Sequence, residues 1–313
     1  MLSFRRFLGL GLLLLCGNLL ASPLLETDEA AALLVNGTLQ AVDIRSPEAY
    51  QQAHIPGAIS APYGRWRGPA SNPGKLLEPE EFEALIRELG LSPEQHLLVY
   101  ATGEDETDFG AAARVYWTLK YLGFEHLSVL NGGFRYWQQD RQDQLEHNTS
   151  TLPSSQTAIH LKPELAVGTD ELLDRITRQQ DGYLLLDPRP PAFFEGTMKA
   201  PTASIGGTIA GARNLPFQQW FREGETRIRP AEEIRQLVAS QQLTGAEELL
   251  SFCNTGHWAA TNWFVLSELA GLDNVRLYPA SMAEWTQSPV ALPMDNTPSR
   301  WQQIQAKFKQ LVD

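Results

Sequence analysis

The chain has 313 residues, of which 43% are hydrophobic and 20% are charged, and this composition is typical of a globular protein long enough for two domains. Its formal net charge of −12 argues against nucleic acid and against an anionic membrane surface as partners, because both select for basic proteins. The same charge would repel an anionic substrate, so positive groups would have to attract such a substrate locally.

Residues 1–21 predict a secretory signal peptide, because Arg5 and Arg6 precede an uncharged, leucine-rich run that ends at the small Ala21. That run is shorter than the roughly 20 residues that a membrane-spanning helix needs, and no second such run follows. Cys16 follows Leu13-Leu14-Leu15, which is a poor match to a lipoprotein signal because the residue before the cysteine should be small. We therefore expect a soluble periplasmic protein without a membrane span. Once the peptide is removed, Cys253 is its sole cysteine and an intramolecular disulfide is impossible.

The segment 26–140 predicts a first domain in which short apolar strands alternate with helices. Its strand candidates are AVDI, LLVY and HLSVL, and EEFEALIRELG is a typical amphipathic helix. The polar residues 141–163 that follow predict a linker.

The segment 164–292 predicts a second domain, with strand candidates YLLLD, ELLSF and VRLY and the helix AEEIRQLVASQ. The tail 293–313 predicts a helix that packs back onto the protein, because its apolar residues share one face: Trp301, Ile304, Phe308 and Leu311.

The two domains are copies of one another. LLVYATG at 97–103 matches LLSFCNTG at 249–256, and Gly123 and Trp137 match Gly271 and Trp285 at a constant separation of 148 residues. A repeat of this length is a duplicated domain. Alternating strands and helices in each copy predict the α/β class, with two mainly parallel sheets that carry helices on both faces.

Cys253 lies where a parallel sheet collects ligands, at the carboxyl end of the strand ELLSF and just before a helix that should begin near Ala259. Gly256 permits a tight turn between them, and the N–H groups of such a loop can point inward as an anion site. The loop amides and the positive end of the helix would stabilise a thiolate on Cys253, or an anionic persulfide on the same sulfur.

These features resemble the rhodanese family of sulfurtransferases over nearly the whole mature chain. The first copy carries that family's Asp43, Arg45, Tyr50 and His-Ile-Pro-Gly-Ala at 54–58, followed by LNGGF and Trp137. The second copy carries the six-residue loop opened by its cysteine, 253–258. The resemblance implies that Cys253 takes a sulfane sulfur from a donor, holds it as a persulfide and passes it to a thiophilic acceptor.

The resemblance also implies a division of roles between the copies. Ala101 occupies the position of the cysteine in the first copy, so that domain should be catalytically silent and supply a wall of the interdomain cleft. No metal or organic cofactor is implied. We expect a monomer that uses a small-molecule donor and acceptor, with a protein thiol as a possible acceptor.

Two other readings of the cysteine loop fit the residues poorly. A cysteine phosphatase needs an arginine six places after its cysteine to bind phosphate, and Ala259 occupies that place. Cys253 and His257 could form a metal site or a protease pair, but two potential ligands alone make a poor zinc site.

The sequence matches no single donor pattern of the family. Within the loop, the candidate binding residues are Asn254, Thr255, Gly256, His257 and Trp258. Thiosulfate-using members usually place Arg or Lys inside this loop, and mercaptopyruvate-using members end it with Gly-Val-Thr-Ala. We predict thiosulfate as donor; 3-mercaptopyruvate, or transfer to a partner protein from a persulfide carrier, stays open, and a non-enzymatic binding module is disfavoured by the intact loop.

The positive charge that the loop lacks should come from outside it. Arg65 and Arg67 flank Trp66 where the interdomain cleft is expected, and either could bind a sulfonate-like group or remain solvated. Arg189 could face the cleft or an internal ion pair. We expect His257 to contact the donor or add positive charge, and Trp258 to limit water access. His54 is interpreted as a turn residue that hydrogen-bonds backbone.

Overall fold

The computed structural model describes residues 21–299. The predicted signal peptide, except Ala21, and the predicted apolar face of the tail lie outside the described residues. Within the described part of the chain, no helix is both long and apolar enough to cross a membrane.

A five-stranded parallel sheet with the order β1-β5-β4-β2-β3 organises the first domain. Its strands are β1 (Leu24–Leu25), β2 (Gln40–Asp43), β3 (Ile59–Ser60), β4 (Leu97–Tyr100) and β5 (Leu127–Leu130). Its helices are α1 (Thr27–Val35), α2 (Pro47–Gln52), α3 (Pro79–Glu88), α4 (Glu106–Tyr121) and α5 (Gly133–Asp140). A 3₁₀ turn, Tyr63–Trp66, follows β3.

A four-stranded parallel sheet with the order β10-β9-β6-β8 organises the second domain, beside a separate antiparallel pair, β7 and β11. Its strands are β6 (Tyr183–Asp187), β7 (Thr208–Ile209), β8 (Arg213–Asn214), β9 (Glu248–Ser251), β10 (Val275–Leu277) and β11 (Met294–Asp295). Its helices are α6 (Thr169–Thr177), α7 (Pro191–Phe194), α8 (Ala231–Ser240), α9 (Trp258–Phe264) and α10 (Ser281–Gln287). Further turns are 3₁₀ at Pro163–Leu165 and Phe217–Trp220, and π-helical at Val265–Leu269.

The parallel sheets predicted from the alternating pattern are confirmed, and the reason lies in the central strands. All of the residues of β4 are buried, and so are Leu249, Leu250 and Ser251 of β9, so that side chains on both faces of each sheet are covered. A strand buried on both faces reads as a continuous apolar run, as LLVY and ELLS do.

A buried ion pair is repeated at the equivalent strand end of each domain. Asp43 Oδ2 lies 2.6 Å from Arg45 Nη2 after β2, and Asp187 Oδ2 lies 2.6 Å from Arg189 Nη2 after β6. In each pair the carboxylate also accepts the backbone N–H of the arginine, which closes a tight turn at the carboxyl end of the strand. His54 lies near the first of these turns, with its Nδ1 2.8 Å from the carbonyl oxygen of Tyr50.

Helices α4 and α9 pack against each other where the two domains meet. The Phe109 ring meets the Phe264 ring edge to face at 5.4 Å, and Tyr116 meets the same ring at 5.0 Å. Each helix follows a central strand after a short loop, because β4 ends at Tyr100 and α4 begins at Glu106, while β9 ends at Ser251 and α9 begins at Trp258. Their contact therefore brings the loop at Ala101 and the loop at Cys253 to a single interface.

Candidate active site at the domain interface

The cysteine loop is anchored at its base to the start of α10. Cys253 donates its N–H to Ser281 Oγ at 3.1 Å, and this hydroxyl donates to the carbonyl oxygen of Tyr278 at 2.8 Å. The carbonyl oxygen of Cys253 accepts the N–H of Met282 at 3.0 Å. Ser281 has a left-handed φ of 56°, which is strained for a residue with a side chain and is held here by burial and these bonds.

The backbone of the loop offers a series of hydrogen-bond donors. Within residues 21–299, the N–H groups of positions 254–258 have no hydrogen-bond acceptor. Gly256 has a φ of 70°, the left-handed conformation that a curled loop of this kind requires. Successive free amides in such a loop can bind an anion.

Arg189 forms an internal ion pair and also contacts the cysteine loop, so it combines the two roles considered from the sequence. It is buried, pairs with Asp187, and donates from Nη1 to Asn254 Oδ1 at 3.2 Å. Its charge is therefore neutralised by Asp187, and its contact with Asn254 fixes the side of the loop that faces its own domain.

The first domain contributes two further arginines to the loop. Arg67 donates from Nη2 to the carbonyl oxygen of Thr255 at 2.9 Å, and Arg114 of α4 donates from Nη1 to that of Gly256 at 3.2 Å. Among the described residues, neither guanidinium forms an ion pair with a carboxylate. The site is thus locally positive in a protein with a net charge of −12.

His257 is held as a neutral ring, which corrects the expectation that it adds positive charge. Burial, with the Arg67 guanidinium next in importance, lowers the pKa of His257 to about 4. Its Nε2 lies 2.7 Å from the carbonyl oxygen of Thr107, which can only accept, so Nε2 carries the proton. Nδ1 then accepts from the Tyr63 hydroxyl at 3.0 Å.

Trp258 packs beside the loop at the edge of an open cleft. Its ring stacks on Phe217 at 5.1 Å between centroids and meets Phe193 edge to face at 5.8 Å. The cleft beyond it has a volume of about 360 Å³, and its charged lining residues are Glu104, Asp105, Glu106, Glu225 and Arg135.

The Cys253 side chain is closed off in this conformation, with 1% of the residue exposed. Its electrostatic partners include Tyr63 and Arg114, both from the first domain. The cysteine is part of the buried hydrophobic cluster at this interface, and Tyr63 and Arg114 lie close enough to interact with it electrostatically.

Arg65 does not join the other predicted residues. Its Nη2 pairs with Glu88 Oε2 at 2.6 Å on a solvent-exposed face, whereas Arg67, two residues later, reaches the loop. Sequence reasoning missed Tyr63, Arg114 and Ser281. Of these, only Arg114 could have been noticed in the sequence. It is the single charged residue in the run FGAAARVYWTL, and an arginine buried among apolar residues needs a specific partner.

The geometry disfavours the metal and protease readings of Cys253 and His257. Both nitrogens of the His257 ring face first-domain oxygen atoms, those of Thr107 and Tyr63, so neither is directed at the sulfur. Among residues 21–299, no group of three or more His, Cys, Asp or Glu side chains is placed to hold a metal ion.

Comparison with known families gives a match in both halves of the chain. The model of the rhodanese-like domain matches residues 26–140 and again residues 169–288.

Curated relatives cover most of the chain. A putative thiosulfate sulfurtransferase of Haloferax volcanii is 30% identical over 267 residues, which are 83% of this chain and 87% of that protein. The 3-mercaptopyruvate sulfurtransferase of Escherichia coli is 31% identical over 242 residues, 76% of this chain and 82% of that protein.

Among solved structures, the anaerobic ergothioneine biosynthesis enzyme of Chlorobium limicola, in complex with trimethyl histidine, superposes with a TM-score of 0.75. The match covers 88% of this chain and 71% of that one, at 22% sequence identity. At this identity the similarity concerns the fold.

Proposed function

The chain belongs to the rhodanese-like family and is a sulfurtransferase, and on this basis we propose that Cys253 carries a sulfane sulfur from thiosulfate to a thiophilic acceptor. One observation carries the proposal: within residues 21–299, Cys253 opens a loop of free amide donors, and Arg67 and Arg114, which have no carboxylate partner there, donate to the carbonyl oxygens of Thr255 and Gly256 in that loop. Such a site favours an anionic sulfur on the protein and an anionic donor beside it.

The transfer proceeds in two displacements. The Cys253 thiolate attacks the outer sulfur of thiosulfate; the new S–S bond forms as the old one breaks, and sulfite leaves with the electron pair. A nucleophile such as cyanide then attacks the outer sulfur of the persulfide, forms thiocyanate and regenerates the thiolate. Charge balances in each step, and no oxidant or reductant is needed.

Access to the sulfur requires movement at the domain interface, because Cys253 is 1% exposed. The groups that cover the loop from the first domain are Tyr63 and Arg67, which are joined to His257 and Thr255 by hydrogen bonds. Opening of these contacts would admit the donor to the loop, and their closure would exclude water from the persulfide.

Intact mass of the purified mature protein tests the proposal. After incubation with thiosulfate and removal of excess donor, the wild type should gain one sulfur atom and Cys253→Ser should gain none. A parallel incubation with 3-mercaptopyruvate compares the donors. Gain from 3-mercaptopyruvate alone would replace thiosulfate as the donor, and no gain from either would contradict a persulfide on Cys253.

Cyanide then separates turnover from sulfur storage. The loaded protein should return to its original mass and release thiocyanate. A persulfide that resists cyanide but is discharged by a protein thiol would instead identify a carrier with a protein acceptor.

We also propose that the protein functions in the periplasm, on the basis of the signal peptide predicted for residues 1–21. Fusion of residues 1–25 to a reporter enzyme that is active only after export should give activity. Replacement of Arg5 and Arg6 by Glu should reduce this activity, because a signal peptide needs a positive amino-terminal region. An inactive unaltered fusion would contradict export.

A further inference from the structure

Arg114 is a wholly buried arginine on a helix of the domain that lacks the cysteine. It lies in the middle of α4, which begins where Asp105 Oδ1 accepts the N–H groups of Thr107 and Asp108. The guanidinium is packed directly on the cysteine loop: a Cβ added at Gly256 would come within 2.1 Å of Arg114 Nη1. The position of this charge is thus set by the packing of the two domains.

The hydrogen-bond partners of Arg114 are neutral. Besides the carbonyl oxygen of Gly256 at 3.2 Å, Nη1 reaches that of Pro279 at 3.5 Å and Nη2 that of Gly74 at 3.0 Å. Its Nε is buried and has no partner within residues 21–299. A buried charge with only neutral partners is unfavourable unless an anion lies nearby.

The other buried arginines of residues 21–299 are neutralised. Arg45 and Arg189 are also buried, and each forms a close ion pair with an aspartate two residues earlier. Arg114 lies at the active loop and differs from these two arginines, because it has no carboxylate partner among the described residues.

The titratable and charged groups around Arg114 leave one candidate for the missing anion. Its electrostatic partners are Arg67, Tyr63 and Cys253. Arg67 is a cation, and burial raises the pKa of Tyr63, so this phenol stays neutral while it donates to His257. His257 is itself neutral. Cys253 is then the remaining acidic side chain among these partners.

We propose that Arg114 supplies the counter-charge for Cys253, so that the silent first domain stabilises the thiolate and the persulfide of the second. The inference rests on the proposed persulfide function but concerns a different property, the ionisation of the sulfur across the domain interface. It gives the domain that lacks a cysteine a direct part in the chemistry. Burial, followed by repulsion from Arg67, lowers the pKa of Arg114 to about 9, and Tyr63 and Cys253 oppose that shift.

Titration of the thiolate absorbance in the ultraviolet tests the proposal without any sulfur donor. The Cys253→Ser protein supplies the baseline at each pH. In Arg114→Met, the titration midpoint should move up by about one pH unit or more, which is at least a tenfold loss in the ionisation constant. Arg114→Lys keeps the charge and should move it much less than Arg114→Met does.

Two further variants separate charge from packing. Arg114→Gln is neutral but can still donate to the carbonyl oxygens, so it should behave like Arg114→Met, and it replaces that variant if the methionine protein does not fold. Arg45→Met removes a buried first-domain arginine away from the loop and should leave the midpoint unchanged, although it leaves Asp43 unpaired.

Equal titration midpoints in the wild type and in the neutral variants would overturn the proposal. Equal shifts in Arg114→Lys and in the neutral variants would also overturn it, because they would indicate an effect of packing and not of charge. Failure of the persulfide function is distinguishable, because it appears as the absence of a mass gain in wild-type protein whose thiolate titrates as expected.

Discussion

The Tyr63 hydroxyl of the first domain lies 3.0 Å from Nδ1 of His257 in the cysteine loop of the second. The hydrogen bonds run in one direction: Arg67 donates to the Tyr63 oxygen at 2.5 Å, Tyr63 donates to His257, and His257 Nε2 donates to the carbonyl oxygen of Thr107. The loop that carries Cys253 is therefore shaped by groups from the domain without a cysteine.

Tyr63→Phe should lower kcat/KM of the folded protein as well as the free energy of unfolding. The substitution leaves Arg67 without an acceptor and His257 without a donor, which should lower the free energy of unfolding by about 1–3 kcal/mol. Because the loop loses its support, kcat/KM should fall by roughly tenfold, or about 1.4 kcal/mol. Tyr116→Phe is the matched control, since it removes another bond across the same interface, to Glu268 Oε2 at 2.7 Å, away from the loop. Similar activity losses in both variants would contradict a specific role of Tyr63.

Arg67→Ala should raise the KM for thiosulfate, whereas Arg65→Ala should leave it unchanged. Arg67 contacts the loop through the carbonyl oxygen of Thr255, and Arg65 pairs with Glu88 at the surface. We expect the Arg67 guanidinium also to contact the bound thiosulfate anion. Loss of that charge-assisted contact, worth about 1.5–3 kcal/mol, corresponds to a rise in KM of roughly tenfold or more. Steady-state kinetics over a range of thiosulfate concentrations would measure both values. An unchanged KM in Arg67→Ala would remove this residue from donor binding.

Gly110→Ala should disturb the active loop from within α4. A Cβ at position 110 would lie 2.7 Å from Cδ2 and 2.8 Å from Nε2 of the His257 ring, so the ring or the helix must shift. Alanine itself favours a helix by about 1 kcal/mol over glycine, and this partly offsets an overpacking penalty of about 1–3 kcal/mol. We expect a small change in thermal stability and at least a roughly tenfold loss of kcat/KM. Gly245→Ala, where a Cβ meets open space, should change neither thermal stability nor kcat/KM. Normal activity in Gly110→Ala would show that activity does not depend on the position of the His257 ring.

Acid should destabilise the protein in part through His257. Its pKa is lowered from 6.5 to about 4, so between these values the unfolded chain binds a proton that the folded protein does not. The stabilising contribution of the neutral ring is complete above pH 6.5 and is lost as the pH falls toward 4, by roughly 3 kcal/mol at most. Thermal unfolding between pH 7 and pH 4 should therefore depend less on pH in His257→Gln than in the wild type. The exposed His126→Gln should keep the wild-type dependence, and an unaltered slope in His257→Gln would contradict a buried neutral ring.

Much of the architecture could be predicted from local patterns. Four-residue apolar runs predicted the central strands, and the match between the copies at a separation of 148 residues predicted two related domains. Both predictions depend on residues that are close in sequence, because a strand buried on both faces needs consecutive apolar residues and a tight turn needs particular residues in order. Cys253 was recognisable for the same reason, since the strand, the turn at Gly256 and the following helix are contiguous.

The surroundings of the sulfur were decided by tertiary structure. Arg65 and Arg67 look equivalent in the sequence, but the 3₁₀ turn at Tyr63–Trp66 directs one to Glu88 at the surface and the other to the loop. Arg114 and Gly256 are 142 residues apart and meet because α4 and α9 pack face to face. Periodicity and turn chemistry specify which face of an element is buried. The way in which the two domains dock decides what that face packs against, and therefore whether a buried charge such as Arg114 meets an opposite charge.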